Sequence, residues 1–275
     1  MKLKYLGTAA YEGVPSLFCR CRVCRESMKL GGRNLRSRSQ ALLNDELLLD
    51  FPPDTVLHAM RYGLDWDKIT DCLITHSHSD HFYPEDVEMA SPEYTYEHQP
   101  IHFYSALDGY EKLKQVTDRD FMREQAVPHL IEPGKRFTVG TKNQYSVLPL
   151  WANHDPATSP VIYSITDGKK RMLYAHDSGI FSEASFEGLA SEEHYDLVSL
   201  DCTGCLSTGW RDGHMCLETN LEVLERMRSM HLIDDKTIVV LNHFSHNGGQ
   251  TYDEMQREAD RYGILVSYDG MEVEF

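Results

Sequence analysis

No stretch of this 275-residue sequence approaches the roughly 20 consecutive apolar residues of a membrane-spanning helix. Its opening Met1-Lys2-Leu3-Lys4-Tyr5 reads as the start of a strand and not as a signal peptide, so a cytoplasmic protein is expected. Positive charge is scarce. The 27 Lys and Arg residues face 43 Asp and Glu, a formal net charge of −16. A nucleic-acid backbone would be repelled at long range, which disfavours broad binding to DNA or RNA. Cysteines number 7, an odd count that fits a reducing compartment better than a disulfide framework. Linkers, repeats and low-complexity segments are also missing, so residues 1–275 are expected to form one domain, and 41% apolar residues suffice for a sizeable core.

Apolar runs predict strands over 2–7, 41–50, 70–75, 145–150, 161–166, 171–174, 197–200 and 238–241. Helices are predicted over 54–62 and 110–115, with a capped amphipathic helix over 219–227 starting at Thr219. Strands and helices alternate as two stacked βα halves.

The densest chemistry lies in Ile74-Thr75-His76-Ser77-His78-Ser79-Asp80-His81. Three imidazoles and a carboxylate directly after an apolar run exceed what packing needs, although a histidine-rich surface loop is the alternative. His76 and His78 are two apart, so in an extended segment they point the same way and can hold one ion. Asp80 and His81 follow where the chain turns and can face a second ion.

The order His-x-His-x-Asp-His resembles the signature of the metallo-β-lactamase superfamily. Three further apolar runs end as that resemblance requires: Leu148–Asn153 on His154, Met172–His176 on Asp177, and Val239–Asn242 on His243. The resemblance implies a four-layer αβ/βα sandwich. It also implies two divalent ions, zinc or manganese, held by His76, His78, His154, Asp80, His81 and His243 with Asp177 bridging, and an activated hydroxide as nucleophile. Asp80 then acts in catalysis as well as in metal binding. Asp50 and Asp201, each ending an apolar run, resemble strand-end aspartates that support the ligands from behind.

Cys19-Arg20-Cys21-Arg22-Val23-Cys24 supplies three thiols over residues 19–24, one ligand short of a tetrahedral zinc site. His246 is the candidate fourth, and three reduced buried cysteines are the alternative. The triplet, with Asn242-His243-Phe244-Ser245-His246, is similar to the PhnP family of phosphoribosyl cyclic phosphate phosphodiesterases. That family has a structural zinc at this place. Gly213-His214-Met215-Cys216 followed by Asn220 resembles the PhnP segment carrying a histidine near the leaving group, which makes His214 the expected proton donor. Asp80, Asp177 and the hydroxide would leave the ion pair roughly one positive charge, so an anion is the expected ligand.

Two segments do not follow the resemblance. The stretch from Phe82 to Val147 does not align with PhnP and would border the active site. Cys202 and Cys205 form a Cys-x2-Cys pair without a second pair and read as ordinary thiols. Arg20, Arg22, Arg25, Lys29, Arg33, Arg36 and Arg38 form a basic stretch offset only by Glu26. A solvated surface is its first reading, and a reach to a substrate phosphate the second.

The function implied is metal-dependent hydrolysis of a small cyclic or simple phosphodiester. An RNA-processing nuclease, a thioester or lactam hydrolase, and a non-catalytic metal-binding protein are the alternatives. The expected partner is a small anionic phosphodiester, without membrane or nucleic acid, and a homodimer is compatible with the sequence.

Overall fold

The computed structural model describes residues 1–97, 99–119, 121–122 and 124–275. Two seven-stranded sheets face each other. The first contains β1 (Lys2–Gly7), β2 (Gln40–Leu43), β3 (Leu47–Leu49), β4 (Asp71–Leu73), β5 (Ile101–Ser105) and β6 (Ala126–Leu130). The second contains β7 (Phe137–Val139), β8 (Tyr145–Trp151), β9 (Val161–Thr166), β10 (Arg171–Ala175), β11 (Leu197–Asp201), β12 (Ile238–Asn242) and β13 (Leu265–Val266). The last strand, β14 (Glu272–Glu274), returns to pair antiparallel with β1 and closes that edge of the first sheet.

Alternation along the strands builds the layers. On β8, Tyr145 and Val147 face the first sheet while Leu148 and Leu150 face outward; on β10, Met172 and Tyr174 face inward while Leu173 points out. The inward residues meet Leu3, Tyr5, Leu43, Leu47 and Leu73 of the other sheet in one buried cluster. Helices α4 (Glu183–Ala190), α5 (Leu217–Ser229) and α6 (Tyr252–Ala259) cover the outer face of the second sheet through Phe186, Leu224, Met227 and Met255. On the far side Leu113 of α3 (Leu107–Thr117) and Val87 pack on Leu48, Cys72 and Phe103. Each fully buried leucine or phenylalanine contributes roughly 1.5–3 kcal/mol. The result is the four-layer αβ/βα sandwich expected from the histidine signature.

Several local expectations change. The run over 41–50 is two strands, because Asn44 and Asp45 take left-handed backbone (φ 50° and 61°) and turn the chain into a hairpin. The helix expected from Thr219 begins at Leu217, with Cys216 at the cap and its N–H donating to Thr219 Oγ1 at 3.0 Å. The cysteine segment runs into α1 (Arg22–Leu30), whose cap is Cys21. The described part of 82–147 does not line the cavity beside the histidine segment; it supplies helix α3, strand β5 and the edge strands β6 and β7 of the two sheets. It touches the histidine loop through Lys112 Nζ donating to Ser77 O at 2.7 Å, Phe82 N donating to His78 O at 2.8 Å and Ile74 N donating to Tyr104 O at 2.9 Å. Among the described residues no helix is long and apolar enough to cross a membrane.

Candidate metal centre and active site

The histidine segment begins where β4 ends, and the other site residues leave the ends of β3, β8, β10, β11 and β12. Three of them, Asp50, Asp177 and His243, have left-handed backbone with φ of 66°, 55° and 63°. Such conformations cost about 1–3 kcal/mol for non-glycine residues and persist where the surroundings over-determine them. The strand-end turns thereby aim side chains of both sheets at one cleft.

Two groups of ligand atoms converge there, and a further one, Asp177, Asp201, His214 and His243, overlaps them. His76, His78, His154 and Asp177 form one, and Asp80, His81, Asp177 and His243 the other, the atoms of each lying within 4.8 Å of one another. His78 Nδ1 is 3.0 Å from His76 Nε2 and 3.1 Å from His154 Nε2. His81 Nε2 is 3.1 Å from His243 Nε2. Asp177 is common to both groups, with Oδ2 at 3.1 Å from His76 Nε2 and 3.3 Å from His81 Nε2. Metal–nitrogen bonds of 2.0–2.1 Å in a tetrahedron would separate ligand atoms by roughly 3.3 Å, so the spacing suits coordination.

The donor chemistry also fits divalent cations. Asp177 Oδ1 is buried and accepts no well-aligned hydrogen bond, although the Nδ1 atoms of His214 and His154 lie 2.9 and 3.3 Å away. Burial holds His76 down at about 4 and also lowers His154, so both rings are neutral, as metal ligands must be. Burial alone would raise Asp177; the surrounding histidines, His243 and His214 first, hold it well below the usual carboxylate range.

Asp50 and Asp201 orient the rings. His81 Nδ1 lies 2.8 Å from Asp50 Oδ2, and Asp50 Oδ1 accepts from both the N–H and the hydroxyl of Thr75 at 2.8 Å. Burial would lower His81, but the Asp50 and Asp80 carboxylates raise it well above the ordinary imidazole value, so an ion bound at its Nε2 would have to displace a proton. Asp201 Oδ2 lies 3.1 Å from His243 Nδ1 and 3.2 Å from His214 Nδ1. Thr203 Oγ1, 2.8 Å from His243 Nδ1, donates to that carboxylate and locks it. With Nδ1 occupied, each ring presents Nε2 outward.

A cavity of about 390 Å³ opens over these groups, walled by Tyr11, Glu12, Ser79, Trp210, Ser245 and Asn247. His214 lines it, stacked at 5.6 Å on His243 and 6.1 Å from the Trp210 ring. Burial opposes its protonation, yet Asp201 and Asp177 raise it to about 11, which makes it an imidazolium.

Cys19, Cys21, Cys24 and His246 form a separate group, their ligand atoms again within 4.8 Å. His246 Nδ1 lies 3.6 Å from Cys19 Sγ and 3.5 Å from Cys21 Sγ. Burial alone would raise the Cys21 thiol, but the Cys24 N–H and neighbouring hydrogen bonds bring it down to about 6, toward thiolate. His243 and His246, three residues apart, thus fall into different groups.

The basic stretch does not reach the cavity. Arg22 pairs with Glu26 and Glu254, Arg36 is buried and donates to Thr8 Oγ1 and Ser267 O, and Arg38 holds Tyr11 O and Asp54. Arg33 lies over the Tyr268 ring at 4.2 Å. No lysine or arginine is among the described residues that line the cavity. Cys202 and Cys205 are buried free thiols outside every potential ligand group of the described residues. Asn220 lies behind the site, donating to Asp201 O at 2.7 Å. Sequence reasoning missed Thr75, Thr203, Tyr11, Glu12 and Trp210; the place of Thr203 two residues beyond a strand-end aspartate was the one available signal.

Comparison with known proteins agrees with this fold. The chain is similar in structure to a diphosphatase of the PhnP family, with a TM-score of 0.75 and 22% identity, over 100% of this chain and 96% of that one. It is also similar to zinc-bound PqqB of Methylobacterium extorquens, with a TM-score of 0.72 and 19% identity over 100% of both chains. A stretch of 85 residues, 30% of this chain, is 33% identical to an octanoyltransferase of Porphyromonas gingivalis, of which it spans 16%. The family described as the beta-lactamase superfamily domain matches residues 47–244, which carry the histidine segment and all the strand-end candidate ligands, and the chain belongs to that family as a hydrolase of the metallo-β-lactamase fold.

Proposed function

We propose that this chain, acting as a single domain, is a phosphodiesterase with a metal pair, zinc or manganese, and cleaves a small cyclic or simple phosphodiester. The observation that carries this is Asp177, shared by two ligand groups at the floor of a cavity of about 390 Å³ with His214 at its side. In this reading His76, His78 and His154 hold one ion, Asp80, His81 and His243 the other, and Asp177 both. Bound divalent ions supply Lewis acidity toward phosphoryl oxygens and a water whose pKa is lowered toward neutrality. A zinc held by Cys19, Cys21, Cys24 and His246 serves the fold, since a closed thiolate site contributes folding free energy outright.

The chain's own residues do the rest. Asp50 and Asp201 keep the imidazoles of His81 and His243 turned with Nε2 toward the cleft. His214, held at Nδ1 by Asp201, carries a proton toward the cavity and delivers it to the departing alkoxide. The cavity size supports a small substrate. Likeness to a PhnP-family diphosphatase supports phosphoryl chemistry. The net charge of −16 and a cavity lining without lysine or arginine among the described residues favour a small ester over a long nucleic acid.

The test is a turnover screen on protein loaded separately with zinc and manganese, using cyclic phosphates, linear diesters, short RNAs and, because of the octanoyltransferase likeness, an acyl thioester. Metal-dependent turnover of a small phosphodiester is expected to exceed the rest. Turnover confined to RNA or thioester would replace the reading.

A further inference from the structure

We propose that Glu12 is a positioning residue that couples the thiolate group to the wall of the catalytic cavity; this rests on the zinc reading above. His246 presents Nδ1 to the thiols, at 3.5 Å from Cys21 Sγ and 3.6 Å from Cys19 Sγ. Its other nitrogen, Nε2, faces Glu12 Oε1 at 3.6 Å. A ring that gives Nδ1 to a metal keeps its proton on Nε2, and a carboxylate there fixes the tautomer and strengthens the ligand.

The same carboxylate oxygen accepts a short hydrogen bond from Ser245 Oγ, and Ser245 Oγ accepts from the Asn247 N–H at 3.0 Å. Glu12, Ser245 and Asn247 all line the catalytic cavity. The backbone carries the link onward: Phe244 N donates to Thr8 O at 2.9 Å and Ala10 N to Phe244 O at 3.0 Å, beside His243. Gly13, at φ 70°, closes the turn that holds Glu12 in place, its N–H donating to Ala10 O at 3.0 Å. One side chain therefore meets the thiolate ligand on one side and the substrate wall on the other. Filling of the thiolate group fixes His246, His246 fixes Glu12, and Glu12 fixes the wall formed with Tyr11 and Ser245.

Wild type, Glu12→Gln and Glu12→Ala are compared as metal-loaded full chains. Zinc transfer from the thiolate group to a chromophoric chelator is measured alongside kcat and KM for bis(p-nitrophenyl) phosphate. Glu12→Ala is expected to weaken zinc retention by about 10–100-fold and to raise KM while kcat is kept, the pattern of a lost contribution to substrate binding by the wall. Glu12→Gln, isosteric and still able to accept from Ser245, is expected to recover part of both losses, which general destabilisation would not produce. Zinc retention equal to wild type in Glu12→Ala, or an unchanged KM, overturns the proposal. Wild-type protein without zinc on Cys19, Cys21 and Cys24 would overturn the zinc assignment itself, a failure visible before any Glu12 variant is made.

Discussion

His214 separates chemistry from structure most cleanly among the side chains of the cleft. Its Nδ1 lies 3.2 Å from Asp201 Oδ2, and its ring lines the cavity. His214→Ala should slow substrates with poor leaving groups by roughly 10²–10⁴-fold, the usual contribution of a positioned proton donor. A p-nitrophenyl ester leaves as a stable anion and should keep most of its rate, with metal content unchanged. Equal losses on both substrate types would make His214 a phosphate-positioning group, and loss of metal would make it a ligand, as its place near Asp177 and His243 also allows. The candidate ligand groups were legible in the sequence because few residue types can hold a metal, and they lie in one histidine-rich segment or at the ends of apolar runs. Thr75, Thr203, Tyr11, Glu12 and Trp210 were not, since a hydroxyl donor or a cavity wall can come from many residue types at no fixed spacing.

Elements with a clear apolar period, such as β9, β11 and β12, were readable to within a residue. The hairpin between β2 and β3 was not, because leucines on both sides flank a turn, Asn44-Asp45-Glu46, of only three residues. Helix α2 (Thr55–Tyr62) was legible, but the role of its His58 was not. That ring is fully buried, its Nδ1 2.6 Å from Gln40 Oε1 and its Nε2 2.7 Å from Ser37 Oγ. Burial lowers it to about 4 from an ordinary 6.5. The unfolded chain therefore takes up this proton first as pH falls; the contribution to stability is complete above 6.5 and is lost on descending through 4. The shift corresponds to about 3 kcal/mol. His58→Gln should flatten the denaturation free energy between pH 6.5 and 4 relative to wild type. An unchanged slope would show that His58 is not held neutral in the fold.

The fold of the whole molecule was implied by the family resemblance that the order of its candidate ligand segments carries, and its two facing sheets bring those distant strand ends to one cleft. The segment from Phe82 to Val147 escaped that logic; its strands β5, β6 and β7 lie at or next to sheet edges, carry no candidate ligand among the described residues and follow no signature. The central claim is that catalysis belongs to the ion pair joined by Asp177. It is tested most directly by titrating metal-free protein with manganese or zinc while following both bound metal and turnover of bis(p-nitrophenyl) phosphate. The expected result is no turnover without metal, a rise that completes as the two groups sharing Asp177 fill, and no rise in Asp177→Asn. Turnover by the metal-free chain, or full activity in Asp177→Asn, would contradict it.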